Sequence, residues 1–124
     1  MSRTLPAVVL IVEDEAIVRM YAVSFVQDAG FEAISASNAD EAVLILEARL
    51  DVRVVFTDID MPGSMDGMKL AAAIRNRWPP IELIITSGQA MPNKAEIPCR
   101  GRFFSKPYSP DEIVRTIRTF SEAA

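Results

Sequence analysis

The 124-residue chain has no histidine. It cannot supply an imidazole as general base, phosphoryl donor or metal ligand, so any chemistry falls to carboxylates, hydroxyls, lysine and a hard metal. Its single cysteine, Cys99, excludes an internal disulfide. With no signal peptide and no apolar stretch long enough to span a bilayer, this points to a reducing, cytoplasmic setting. Positive charge is also short: 13 Lys and Arg against 17 Asp and Glu leave a net charge of −4. That balance argues against direct contact with nucleic acid or with an anionic membrane. Pro and Gly are too few for a disordered chain. Half of the residues are apolar, enough for one domain over residues 1–124 with a proper core.

What the chain does contain is a set of short apolar runs that stop at polar residues. Val54-Val55-Phe56-Thr57-Asp58-Ile59-Asp60-Met61-Pro62-Gly63 reads as a buried strand ending at a carboxylate and closed by Pro-Gly. Ala7–Val12 is a similar run before Glu13-Asp14-Glu15, Phe31–Ser35 a shorter one, Ile81–Thr86 another before Ser87-Gly88, and Gly101–Ser105 a fifth before Lys106-Pro107. Helical periodicity fills the gaps. Val18, Ala22, Phe25, Val26 and Ala29 form one stripe ahead of Gly30, a natural stop. Ile17, Met20, Tyr21 and Val23 on the same helix lie off that stripe; core packing is the simpler reading for them, a partner surface the other.

A second helix is expected from an Asn38 cap to Leu50, with Glu41 as capping-box partner and Ala42, Ile45 and Leu46 inward. A third opens at Asp66-Gly67, turns Leu70, Ala71 and Ile74 inward and ends before Pro79-Pro80. The last opens at Ser109-Pro110-Asp111-Glu112 and runs to Phe120, burying Ile113, Val114, Ile117 and Phe120. Between Gly88 and Gly101, Pro92 and Pro98 leave room for about one turn, so the helix expected there is degenerate. Strands alternating with helices, mostly without polar alternation, indicate a parallel sheet covered on both sides.

In a parallel sheet all the strands' carboxyl ends share one rim, where such folds place their ligand sites. That rim collects Glu13 and Asp14, Asp58, Ser87 and Lys106 from four strands. Singly, each has a plain reading as a loop acid, a capping serine or a surface lysine; together they suit phosphoryl chemistry. Close carboxylates repel unless a cation joins them, and oxygen ligands without His or Cys favour Mg²⁺, or Mn²⁺ in its place. An ionised Asp58 can attack phosphorus, with the metal and Lys106 stabilising the transferring group and Ser87 donating to one of its oxygens.

These segments (LIVEDE, TDIDMPGSMDG, IITSG and FFSKPYS) resemble those of response-regulator receiver domains of two-component signalling, over essentially the whole chain. The resemblance implies a flavodoxin-like (βα)5 fold, a doubly wound five-stranded parallel sheet in the order 2-1-3-4-5. It implies a phosphoacceptor at Asp58, a direct magnesium ligand at Asp14, an acid acting through water at Glu13, and a metal-binding backbone carbonyl at Asp60. Ser87 matches the switch hydroxyl, Lys106 the phosphate-binding lysine and Phe103 the aromatic switch; a cis Lys106-Pro107 bond is also implied. The implied partner is a sensor histidine kinase or histidine phosphotransfer protein, carrying the histidine this chain lacks. It would dock near Ile17, Met20, Tyr21, Pro107 and Tyr108 on a monomer or weak dimer.

A receiver of this kind promotes its own phosphorylation and dephosphorylation and is not a multiple-turnover enzyme. No output module follows the last helix, so the expectation is a receiver that stands alone or was trimmed from a longer chain. Departures from the common pattern are Glu13 for aspartate, an extra residue around Ser64, and the shortened fourth helix; Asp60 and Gln89 occupy positions that influence phosphoryl lifetime. Three alternatives fit less well. A haloacid-dehalogenase-type phosphatase shares the formal Asp58-Ile59-Asp60 pattern but needs it on the first strand. A flavodoxin-like cofactor binder needs a phosphate loop where Glu13-Asp14-Glu15 stands. A pseudo-receiver scaffold would have no reason to keep every polar residue type of the pocket.

Overall fold

The computed structural model describes residues 7–60, 66–88 and 101–122. Its elements are β1 (Val8–Val12), α1 (Ala16–Asp28), β2 (Glu32–Ala36), α2 (Ala39–Ala48), β3 (Val52–Asp58), α3 (Gly67–Arg77), β4 (Glu82–Ser87), β5 (Gly101–Ser105) and α4 (Pro110–Glu122). The five strands form one parallel sheet in the order β2-β1-β3-β4-β5. The degenerate helix expected between Gly88 and Gly101, the loop around Ser64, Gln89 and Cys99 lie outside the described residues.

Alternation along the strands divides the core in two. Leu10, Val12, Val55, Leu83 and Ile85 face α2 and α3, with Ala42, Leu46, Leu70 and Ile74 opposite them. Val9, Ile11, Val54, Phe56 and Ile84 face α1 and α4, against Ala22, Val26, Ile113 and Ile117. Val52 and Val54 point into different cores although two residues apart. A bulge accounts for this: Val8 pairs with Val52 but Val9 with Val54, leaving Arg53 unopposed. Each large aliphatic side chain buried in this way contributes about 1.5–3 kcal/mol.

Helix ends follow local chemistry. Gly30, at φ 97°, ends α1; its amide donates to the Gln27 carbonyl and that of Phe31 to Val26, the paired bonds of a Schellman turn. Asn38 Oδ1 accepts from the Glu41 amide at 2.8 Å, whereas the Glu41 carboxylate reaches back past the cap to the Ser37 amide and hydroxyl. That helix stops at Ala48, short of Leu50, because Arg49 is extended and its guanidinium binds Asp51 and Glu32. The last helix continues past Phe120 to Glu122. Its Ile113 and Ile117 are fully buried, while Val114 and Phe120 are only half-buried.

Of the extra apolar residues of α1, Val23 packs half-buried against the core, and the other three do not. Ile17, Met20 and Tyr21 are 82, 68 and 55 % exposed. Among the described residues no helix is long and apolar enough to cross a membrane.

Candidate functional site

Register assembles the rim. Val12 pairs with Thr57, Asp58 with Thr86 and Ser87 with Ser105, so β1, β3, β4 and β5 end within a residue or two of one another. Ser87 is the last residue of β4 rather than the first after it; its carbonyl accepts the Lys106 amide at 2.8 Å and so extends the ladder beyond β5. The Lys106-Pro107 peptide is cis. On the other side, the Ile59 amide donates to the Thr86 carbonyl at 2.8 Å and carries the chain past Asp58 toward Asp60.

Five of the predicted groups meet on this rim. Lys106 Nζ donates to Asp58 Oδ2 at 2.9 Å and lies 3.7 Å from Glu13 Oε1. Carboxylate oxygens of Glu13, Asp14 and Asp58 lie within 4.8 Å of one another. The Asp60 amide donates to Asp58 Oδ1 at 3.2 Å. Both Asp58 oxygens are thus held, one by an ammonium and one by an amide, which fixes the plane of the carboxylate. Ser87 stands alongside, but its hydroxyl donates to Asp60 Oδ2 at 2.9 Å. Phe103 is half-buried against the core between the sheet and α2–α3 and is not among the groups in contact with Asp58.

Burial and charge act together here. Glu13 and Asp58 are buried, only 6 and 5 % exposed. Burial raises the Glu13 pKa from 4.5 to about 7; its hydrogen bond with Asp14 and the charge of Asp58 add to this, against the pull of the Glu15 amide and Lys106. For Lys106, burial works against the ammonium, yet the hydrogen bond to Asp58 and the charges of Asp58 and Glu13 outweigh it and hold its pKa above the ordinary lysine value. Among the described residues, three clustered carboxylates thus face one ammonium, which touches two of them, in a partly desolvated setting. Such a donor set is hard, all-oxygen and under-neutralised, which fits a divalent cation of the Mg²⁺ type.

Several contributions escape sequence reasoning. Arg19 donates to the Glu13 carbonyl at 2.8 Å and ties α1 to the acidic loop. Gly67 lies against the backbone at the carboxyl end of β3: a Cβ there would strike the Asp58 carbonyl and come within 2.6 Å of Ile59 Cα. Its place right after a capping Asp66 hints at a helix start but not at this close approach. Tyr108, Thr86 and Phe56 line a cavity of about 10 Å³ beside Glu13 and Asp58, room for about one water. Tyr108 also joins an aromatic cluster, with Phe25 packed between it and Tyr21.

The family model for the response regulator receiver domain matches residues 9–118. The chain belongs to that family. As a receiver it is 35 % identical over 120 residues to the sensor kinase CckA of Brucella abortus, covering 94 % of this chain and 13 % of that protein. It is 35 % identical over 124 residues to the hydrogenase transcriptional regulatory protein HoxA of Cupriavidus necator, covering 94 % of this chain and 24 % of that one. The chain thus spans less than a quarter of the length of these two relatives. Among solved structures, a response regulator receiver protein from Sinorhizobium medicae superposes with a TM-score of 0.87 at 24 % identity over 95 % of this chain and 96 % of that one. The receiver domain of the hybrid histidine kinase CckA gives 0.78 at 24 % identity over 93 and 99 %. At those identities the likeness shows the fold. Receivers generally bind Mg²⁺ at an acidic pocket and interact with histidine kinases or phosphotransfer proteins, and this receiver has the acidic triad.

Proposed function

We propose that this receiver accepts a phosphoryl group on Asp58 from a phosphohistidine of its partner. The observation that carries the reading is the Asp58 carboxylate, buried yet held at both oxygens, beside Lys106 and two further acids at one end of the sheet. Asp58 attacks phosphorus; an O–P bond forms, the P–N bond breaks, and its electron pair leaves with the partner's imidazole nitrogen. Lys106 holds Asp58 in line and can follow the phosphoryl oxygens as their charge moves onto the receiver. Asp14, Asp58 and the Asp60 carbonyl would hold the cation, with Glu13 acting through water. When bound, Mg²⁺ or Mn²⁺ supplies charge neutralisation for acids and phosphoryl oxygens together.

The partner imidazole must come close to Asp58, and the exposed apolar side chains Ile17, Met20 and Tyr21 on α1 suit its docking. Phe25 links Tyr21 to Tyr108, so that surface is continuous with the segment after Lys106. The reading carries with it the cytoplasmic setting expected from composition, and one phosphoryl group per chain rather than sustained turnover.

The test is treatment with acetyl phosphate and Mg²⁺ followed by intact-mass measurement. Wild type gains one phosphoryl group and Asp58→Asn none; equal gain in both, or none in wild type, refutes the assignment. Changing Ile17 and Met20 to serine slows transfer from a cognate kinase and spares the acetyl phosphate reaction. Equal loss with both donors would show damage to the fold instead.

A further inference from the structure

We infer that the Asp60 side chain is a latch on the Ser87 hydroxyl, holding it in the resting receiver and surrendering it when Asp58 is phosphorylated. The inference rests on the phosphoacceptor reading above. Asp60 follows Asp58 by two residues and touches both strand ends. Its amide donates to Asp58 Oδ1 at 3.2 Å, and its Oδ2 accepts from Ser87 Oγ at 2.9 Å and from the Gly88 amide at 3.2 Å.

A hydroxyl has one proton to donate. Ser87 is buried, 1 % exposed, so its Oγ–H serves either the Asp60 carboxylate or an oxygen of a phosphoryl group on Asp58. The present acceptor is a carboxylate oxygen 2.9 Å away, which makes the bond a strong one of its kind. A phosphoryl group on Asp58 offers rival ionised oxygens and at the same time repels the Asp60 carboxylate. Both effects push the same way. Ser87 turns to the phosphoryl group, and Asp60, which is exposed, turns to solvent and releases Gly88. The latch therefore opposes capture of phosphorus and links it to the chain leaving β4. Asp60 acts through Ser87 and is a positioning residue, distinct from the groups that touch phosphorus.

The test is a double-mutant cycle on affinity for beryllofluoride, a phosphoryl mimic, in Mg²⁺ with wild type, Asp60→Ala, Ser87→Ala and the double variant. Asp60→Ala should bind about threefold to tenfold tighter than wild type, the range for losing one competing hydrogen bond. In the Ser87→Ala background the same change should tighten binding clearly less, by relief of charge repulsion alone, because no hydroxyl remains to be held. Asp60→Asn, which keeps an acceptor without the charge, should fall between. Equal tightening in both backgrounds overturns the latch, since Asp60 would then act through charge alone. Unchanged or weaker binding by Asp60→Ala overturns it as well.

A second readout needs neither metal nor mimic. Hydrogen exchange at the Gly88 amide should be faster in Asp60→Ala than in wild type, and unchanged exchange overturns the resting bond itself. Should Asp60→Ala not fold, Asp60→Asn provides the binding comparison: a smaller tightening is expected in the Ser87 background, and no tightening there overturns the latch. A wild-type protein that takes up no beryllofluoride overturns the phosphoacceptor reading and the latch with it. Normal uptake without the predicted coupling condemns the latch alone.

Discussion

The two ends of the sheet handle charge in opposite ways. At the amino end, Arg49 meets Asp51 at 2.6 Å and Glu32 at 3.1 Å, and Arg77 meets Glu47 at 2.7 Å while stacking over Trp78. These pairs are open to water; the side chains of Arg77 and Glu47 are 46 and 45 % exposed. Each of these charges touches an opposite one in open water, and little is left for a ligand to gain. At the carboxyl end, among the described residues, three clustered acids face one ammonium that touches the two buried ones. Matched exposed pairs contribute little to stability, whereas unmatched buried groups cost stability until something binds. The contrast separates a settled end from a receptive one within a sheet of only five strands.

The sharpest way to break the comparison is Lys106→Ala. It removes the ammonium that touches Asp58, and phosphoryl uptake from acetyl phosphate should slow by about a hundredfold, the usual loss for one donor to a transferring group. Uptake at the wild-type rate would mean that the Lys106–Asp58 contact has no part in the transfer. The next effect is on pH. Because folding raises the Glu13 pKa from 4.5 to about 7, the folded state favours its proton. The associated stability is fully present below pH 4.5 and is lost as pH rises through about 7. Denaturation midpoints of the metal-free protein should fall across that window, and millimolar Mg²⁺ should restore them at its upper end by binding the native state. A flat profile from Glu13→Gln would assign the slope to this group. The smallest effect belongs to the settled end: Arg77→Ala should cost about 1 kcal/mol or less and leave phosphoryl uptake unchanged. A larger cost would make the exposed pair structural.

Much of the fold was legible because short apolar runs bounded by breakers read as strands buried on two sides, and all five ended within a residue of their place in the structure. Ser87 was the informative miss. Apolar pattern reports burial, and a serine carries no such signal; its place in β4 depends on pairing with Ser105, a tertiary fact. The site was legible as residue types at strand ends, since register makes those ends converge. Which donor meets which acceptor was not. Ser87 was read as facing phosphorus, and its hydroxyl donates instead to the Asp60 side chain, a contact that spacing along the chain does not reveal. Gly67 and Arg19 act on the backbone of Asp58 and Glu13 across the fold, and local spacing holds no record of that. The exposed α1 residues were ambiguous for a related reason: an apolar side chain looks the same in sequence whether it faces the core or a partner.

The interlocked register has a consequence for fidelity. Glu13, Asp58, Ser87 and Lys106 come from four strands that are neighbours only when β1, β3, β4 and β5 are all in place. A nicked, half-synthesised or partly unravelled copy scatters them, and with them any capacity to be charged by a donor. Damaged molecules in a cell would then be silent rather than falsely active, a safeguard that needs no dedicated proofreading part.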